Sequence, residues 1–284
     1  MPAAESRGLR VTRAVCAGFE GRSEASLHPD LRTFVGDLVR PYGLPLREDL
    51  LSEGVGHDYG QMAEGLLGRA LPAGEPADLL ILAFSSPDVR PGAPAALHLS
   101  RHCPGQPTAF AVCDQGSAAA FTAFRIAAAH HRTGGCRRAV IVLAEQSALH
   151  YQPAEPVGLP QEHRAVVLVC EESAGEGLRV RQQAQADGSQ ALRSALADHR
   201  QRGRGARLLL AADLAGAARM ADRTADLDAH GGPEAVESAR PGQPFTGVWT
   251  LLADRLARRP EAGGPLLVAD HDRRLGRLST LTLP

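Results

Sequence analysis

Residues 112–131, VCDQGSAAAFTAFRIAAAHH, run from a short apolar lead-in through Asp114, Gln115 and Gly116 to Ser117, then into an alanine-rich stretch. Small residues at a strand-to-helix corner let a ligand fit close to the backbone. The free N–H groups of a helix N-terminus favour developing negative charge. This combination suits a serine that attacks an acyl group, provided a nearby base takes the hydroxyl proton. The candidate bases are His230 in DAHGGPE, His163 in EHRAVV and Glu145 at the end of AVIVLAE. The other reading of Ser117 is a small residue that fills the corner.

The remaining reactive side chains narrow the chemistry. Five cysteines (Cys16, Cys103, Cys113, Cys136, Cys170) are widely spaced with no CxxC pair, which speaks against a zinc site or a disulfide framework and for reduced cytosolic thiols. The paired His130-His131 near a helix end read as partners of the helix dipole rather than as metal ligands. All 31 basic residues are arginine and the chain has no asparagine. Schiff-base chemistry and a Walker-type phosphate lysine are therefore excluded, as is any mechanism that needs an asparagine side chain from this chain.

Net charge is −1 with scattered basic residues, which argues against nucleic acid or an acidic membrane as the main partner. No run approaches the roughly 18 apolar residues of a membrane span, and MPAAESRGLR lacks the apolar core of a signal peptide, so a cytoplasmic protein is expected.

The elements that must position Ser117 follow from apolar patterning. Leu9 to Ala17 reads as a strand, and residues 26–70 as helices broken by Pro41, Pro45 and glycines. ADLLILAF (77–84), AVIVLA (139–144) and AVVLVC (165–170) are continuous apolar runs of the length expected for buried strands. A helix over about 93–102 and a short strand at 108–113 lead into the Ser117 corner and its helix, 117–132. The interval 171–205 is polar, with RQRGRG as its most linker-like piece. LLLAAD (208–213), GPLLVAD (264–270) and 278–283 supply further strands. Strands alternating with helices make an α/β protein with a largely parallel sheet. The block from Gln115 and the block GQPFTGVWTLLADRLARRPEAGGPLLVADH from Gly242, about 130 residues later, run in the same order of small loop, helix, turn and strand. Two similar halves are expected, 1–170 with the nucleophile corner and 171–284 as a shortened second half.

In order, DLLILAFSSPD (78–88), QGSAAAFTAFRIAAAHHRTGGCRRAVIVLAE (115–145), EHRAVVLV (162–169) and GQPFTGVWTLLADRL (242–256) resemble landmarks of the thiolase-fold condensing enzymes. The nearest branch is the ketoacyl-acyl-carrier-protein synthase III and chalcone-synthase-like group. The resemblance implies a duplicated βαβαβ layered sandwich, acyl thioesters of coenzyme A or an acyl carrier protein as substrates, no bound cofactor, and a dimer, either of this chain or with a ketosynthase-like homologue. It places the family's nucleophilic cysteine on Ser117, its catalytic histidine on Ala211 or Ala212, and its catalytic asparagine on Gln243. With all three changed, ordinary decarboxylative condensation is not expected. Two functions remain: a Ser117-dependent acyltransferase of polyketide-type or fatty-acid-type biosynthesis, or a non-catalytic partner of an active ketosynthase.

Overall fold

The computed structural model describes residues 7–72, 75–90, 92–185, 187–201, 206–220, 236–258 and 264–284; His230 lies outside them. The first half begins with β1 (Arg7–Phe19), followed by three helices, α1 (Pro29–Val39), α2 (Glu48–Glu53) and α3 (Tyr59–Ala70). It continues through β2 (Leu79–Phe84), α4 (Ala95–His102), β3 (Thr108–Val112), α5 (Ala118–Arg132), β4 (Arg138–Glu145) and β5 (His163–Ala174). The second half holds β6 (Arg179–Ala184), α6 (Gly188–Arg200), β7 (Arg207–Leu210), α7 (Ala212–Met220), β8 (Val236–Ser238), α8 (Gly247–Ala257), β9 (Leu266–Asp272) and β10 (Arg277–Leu283).

Each half folds into a five-stranded sheet, ordered β1-β5-β4-β2-β3 and β6-β10-β9-β7-β8. Counting strands from the start of each half, the two orders are the same. The directions also agree: the first two pairings of each sheet are antiparallel, the last two parallel. The echo in the sequence is thus a duplication of topology.

Why the apolar runs are continuous is clear from the two faces they cover. In the first sheet Leu79, Ile81, Ala139, Ile141, Val166 and Leu168 face inward, against α5, α8 and the second sheet. The alternate residues Leu80, Leu82, Val140, Val142 and Val167 face outward, against α3 and α4. The second sheet repeats this, with Leu209, Val268 and Leu281 inward and Leu208, Leu210, Leu267 and Leu278 against α6 and α7. A strand covered on both sides has no polar face to alternate with. The layers are helix, sheet, helix pair, sheet, helix.

The alanine-rich character of α5 follows from its central position. Ala119, Ala120, Ala123 and Ala127 are fully buried, and small side chains let the helix lie between two sheets. Trp249 of α8 fills the space that remains, stacked on Phe124 at 5.1 Å and tilted on Phe121 at 5.0 Å. It is a core residue shared by both halves.

Where it is described, the polar interval 171–205 is more ordered than its composition suggests; residues 202–205 of RQRGRG lie outside the described residues. It contains the end of β5, all of β6 and α6. β6 is the edge strand of its sheet, so RVRQQA has one half-exposed face and never shows an apolar run. No helix among the described residues is long and apolar enough to cross a membrane.

Candidate functional site

The corner forms as its sequence dictates. β3 ends at Val112, Asp114 takes a left-handed φ of 60°, and Gly116 follows at φ 50°. Ser117 is the N-cap residue of α5, but its hydroxyl makes no capping bond. Gln115 is fixed by the Thr122 hydroxyl, which donates to Oε1 at 2.7 Å. Gln115 thus sets the shape of the turn.

Ser117 faces a cavity of about 360 Å³ at the carboxyl ends of strands from both halves. Ser85–Pro87 after β2, the 157–160 loop, Ala211 and Ala212 after β7, Pro244 and Phe245 before α8, and the end of β9 form its walls. This size falls within the range of small-ligand sites, and strand carboxyl ends are where open α/β sheets bind ligands. Arg273 and Arg274 are exposed at its rim.

The end of β9 supplies the charges. Asp272 Oδ2 accepts the backbone N–H of Ser117 at 3.0 Å, while Oδ1 accepts the Leu275 N–H at 2.9 Å. Gly116 makes this approach possible: a Cβ there would lie 1.8 Å from Asp272 Oδ2. Two residues earlier, Asp270 is 3% exposed, lines the same cavity, and has an Oδ2 with no hydrogen-bond partner. Burial pushes its carboxyl up to about 7, against a hydrogen bond from the Ser117 side chain that pulls it down. His271, between them, donates from Nε2 to the Gln185 carbonyl at 2.6 Å.

Ser117 N–H is a donor that a serine nucleophile at this corner would offer to an oxyanion. Here a carboxylate of the same chain takes it. Removing one such donor costs roughly 2.7–4 kcal/mol in acyl-transfer enzymes. A negative charge about 4 Å from a developing oxyanion opposes it by about 4 kcal/mol more at an effective dielectric near 20.

The second half contains the same arrangement. Thr246 is the N-cap residue of α8, and Glu145, the last residue of β4, accepts the Thr246 N–H at 2.9 Å and the Phe245 N–H at 3.0 Å. The Thr246 hydroxyl donates to it as well. Each half's fourth strand therefore ends in a carboxylate that caps the other half's buried central helix. Burial pushes the Glu145 carboxyl up to about 7, partly offset by the Thr246 and Phe245 donors.

The other candidate residues separate into two groups. Ala211 and Ala212 line the cavity with Ser117, and Ala211 N–H donates to the Ala269 carbonyl at 2.9 Å. The position offers no side-chain donor. Gln243 is not among the lining residues. With its amide oriented to satisfy its neighbours, its nitrogen donates to Glu145 Oε1 at 2.6 Å and its oxygen accepts the Glu162 N–H at 3.1 Å. Glu145 and His163 do not line the cavity either. His163 Nδ1 accepts the Ser147 N–H at 3.2 Å, and burial lowers its pKa to about 4. The carboxylates around Ser117 were not anticipated from the sequence. Their signal is two aspartates at i and i+2, on one face of the strand, closing the apolar run LLVADHD.

No protein-family model matches the sequence, and no curated protein matches it either. Solved structures do match over nearly the whole chain. The priming β-ketosynthase of the R1128 polyketide pathway aligns with a TM-score of 0.62 at 17% identity, covering 100% of this chain and 98% of that one. The 3-oxoacyl-[acyl-carrier-protein] synthase III of Aquifex aeolicus aligns at 0.61 and 13%, covering 97% and 99%. ChlB3, described as an acyltransferase, aligns at 0.60 and 16%, covering 97% of each. The fold is that of the thiolase-like condensing enzymes.

Proposed function

We propose that this chain is a ketosynthase-III-like protein of acyl-thioester metabolism that has lost carbon–carbon bond formation and acts as a non-catalytic partner of an active condensing enzyme. One observation carries the reading: the Ser117 N–H is held by Asp272 in the way the Thr246 N–H is held by Glu145. The corner that resembles a nucleophile site is built like its counterpart in the other half, as a capped helix end. The alanines at 211 and 212 and the engagement of Gln243 with Glu145 point the same way.

A partner role needs a free face, and β3 provides one. It is the terminal strand of the first sheet, beside a groove where Phe34, Leu38 and Leu97 are 40–48% exposed. An open strand edge flanked by apolar side chains suits a second thiolase-fold subunit, identical or homologous. The exposed Arg273 and Arg274 at the cavity rim suit the phosphate of coenzyme A or of a carrier-protein arm.

The acyltransferase reading has its own observation. Asp270 lies in the same cavity as Ser117 with a carboxyl pushed up to about 7, the range of a working general base. Mixing the protein with acyl-coenzyme A or acyl-carrier protein separates the two. The partner reading expects no Ser117-dependent adduct, together with a stable complex with, and altered product of, an active ketosynthase. An adduct abolished by Ser117→Ala selects the acyltransferase.

A further inference from the structure

The outer face of the first half carries a cluster with no part in the Ser117 cavity. α4 presents His98 and His102 four residues apart, on one face of the helix, toward Glu64 of α3. His98 Nε2 lies 2.8 Å from Glu64 Oε2, and His102 Nε2 lies 3.7 Å from Glu64 Oε1. The two imidazole centroids are 4.3 Å apart, and one ligand atom from each of the three residues falls within 4.8 Å of the others.

The geometry points to a divalent transition-metal site of the zinc class, formed by Glu64 Oε, His98 Nε2 and His102 Nε2, with water in the open position. Two imidazoles and a carboxylate are the ligand set that zinc takes when thiolates are absent. Metal–ligand bonds of about 2.0–2.1 Å in a tetrahedron put ligand atoms roughly 3.3 Å apart. The separations of 2.8 and 3.7 Å, which run to the two different oxygens of Glu64, lie on either side of that value, and an ion bound to one oxygen would draw the two imidazoles toward it.

Two further features orient the donors. His102 Nδ1 lies 2.9 Å from the His98 carbonyl. A carbonyl only accepts, so the His102 proton sits on Nδ1 and its Nε2 lone pair points at the cluster, the arrangement that metal-ligating histidines use; the His98 Nε2–H donates to Glu64 Oε2, and that proton leaves when an ion binds. Gly60, one turn before Glu64, leaves space for the His98 ring, since a Cβ there would sit 2.9 Å from its Cδ2. The three groups are 36–43% exposed, open to an entering ion. A bound ion fastens α4 to α3 and so stiffens the wall that Ala95, Ala96 and Leu97 give to the groove beside β3.

The test is calorimetric titration of chelator-treated protein with zinc chloride, repeated on Glu64→Gln and His102→Ala. The expected result is one equivalent bound, with affinity reduced about tenfold or more in each variant, and a zinc-dependent rise in Tm that His102→Ala abolishes. Cobalt(II) spectra should lack a thiolate charge-transfer band, which separates this site from the five cysteines. Absence of saturable binding, affinity unchanged in both variants, or a thiolate band overturns the assignment.

Discussion

Asp272 Oδ2 accepts the Ser117 backbone N–H at 3.0 Å across 155 residues of sequence, and Glu145 accepts the Thr246 N–H at 2.9 Å in the other half. Because β4 and β9 are the fourth strands of duplicated sheets and α5 and α8 their central helices, the two contacts are one device used twice. A carboxylate at a buried helix N-terminus satisfies an orphan donor and meets the positive end of the helix dipole. Neither Glu145 nor Thr246 lines the cavity. The first half shares the construction, and that is why Ser117 reads as a cap position.

The two caps differ in burial, and their removal should differ in cost. Asp272→Ala loses an acceptor at a half-exposed corner and should destabilise the protein by about 1 kcal/mol. Glu145 is 1% exposed and receives three donors from Phe245 and Thr246, so Glu145→Ala should cost about 3–5 kcal/mol. Urea unfolding of both variants measures this. Equal losses would break the proposed asymmetry.

Gly116 is constrained twice, by its φ of 50° and by Asp272 Oδ2 lying 1.8 Å from where a Cβ would be. Gly116→Ala should therefore displace the carboxylate and cost about 1–3 kcal/mol. In the background of Asp272→Ala the steric part disappears, so the second substitution should cost less than it does in the wild type. A double-mutant cycle reads this coupling; additive losses would show that the two residues do not meet.

Asp270 makes stability depend on pH in a stated direction. Its folded carboxyl is pushed up to about 7, whereas an unfolded aspartate titrates near 3.9. Between those values the native state holds a proton that the unfolded chain has released, so this group's contribution falls as pH rises and levels off above 7. Glu145 and Asp88, also pushed up to about 7, act in the same direction, and His163, lowered to about 4, acts against them. Comparison with Asp270→Asn isolates one residue. The variant should come closest to the wild type in Tm below about pH 4 and exceed it by a margin that grows up to about pH 7. Parallel curves would mean that Asp270 does not titrate in this range.

The layered fold could be read from the sequence because its strands are buried on both faces, and runs such as LLILAF and AVIVLA leave little choice of element. The α5 corner was legible because a short apolar run ends in Gln115-Gly116-Ser117 and opens into a stretch of small residues. β6 and α6 were not, because an edge strand and an outer helix carry polar residues that look like a loop. The contacts around Ser117 were hidden by distance. Asp270 and Asp272 stand at the end of a strand more than 150 positions away, and only the packing of one half on the other brings them to the corner. Gln243 shows the converse. The resemblance puts it at the family's asparagine position, and its amide is engaged by Glu145 and by the backbone of Glu162.

The most direct test is intact-protein mass spectrometry after incubation with acyl-coenzyme A, run in parallel on the wild type and Ser117→Ala. The capped corner predicts the same adduct pattern in both, with any thioester exchange onto the five cysteines common to both. A stoichiometric acyl adduct present in the wild type and absent from Ser117→Ala would contradict the account and make Ser117 a working nucleophile.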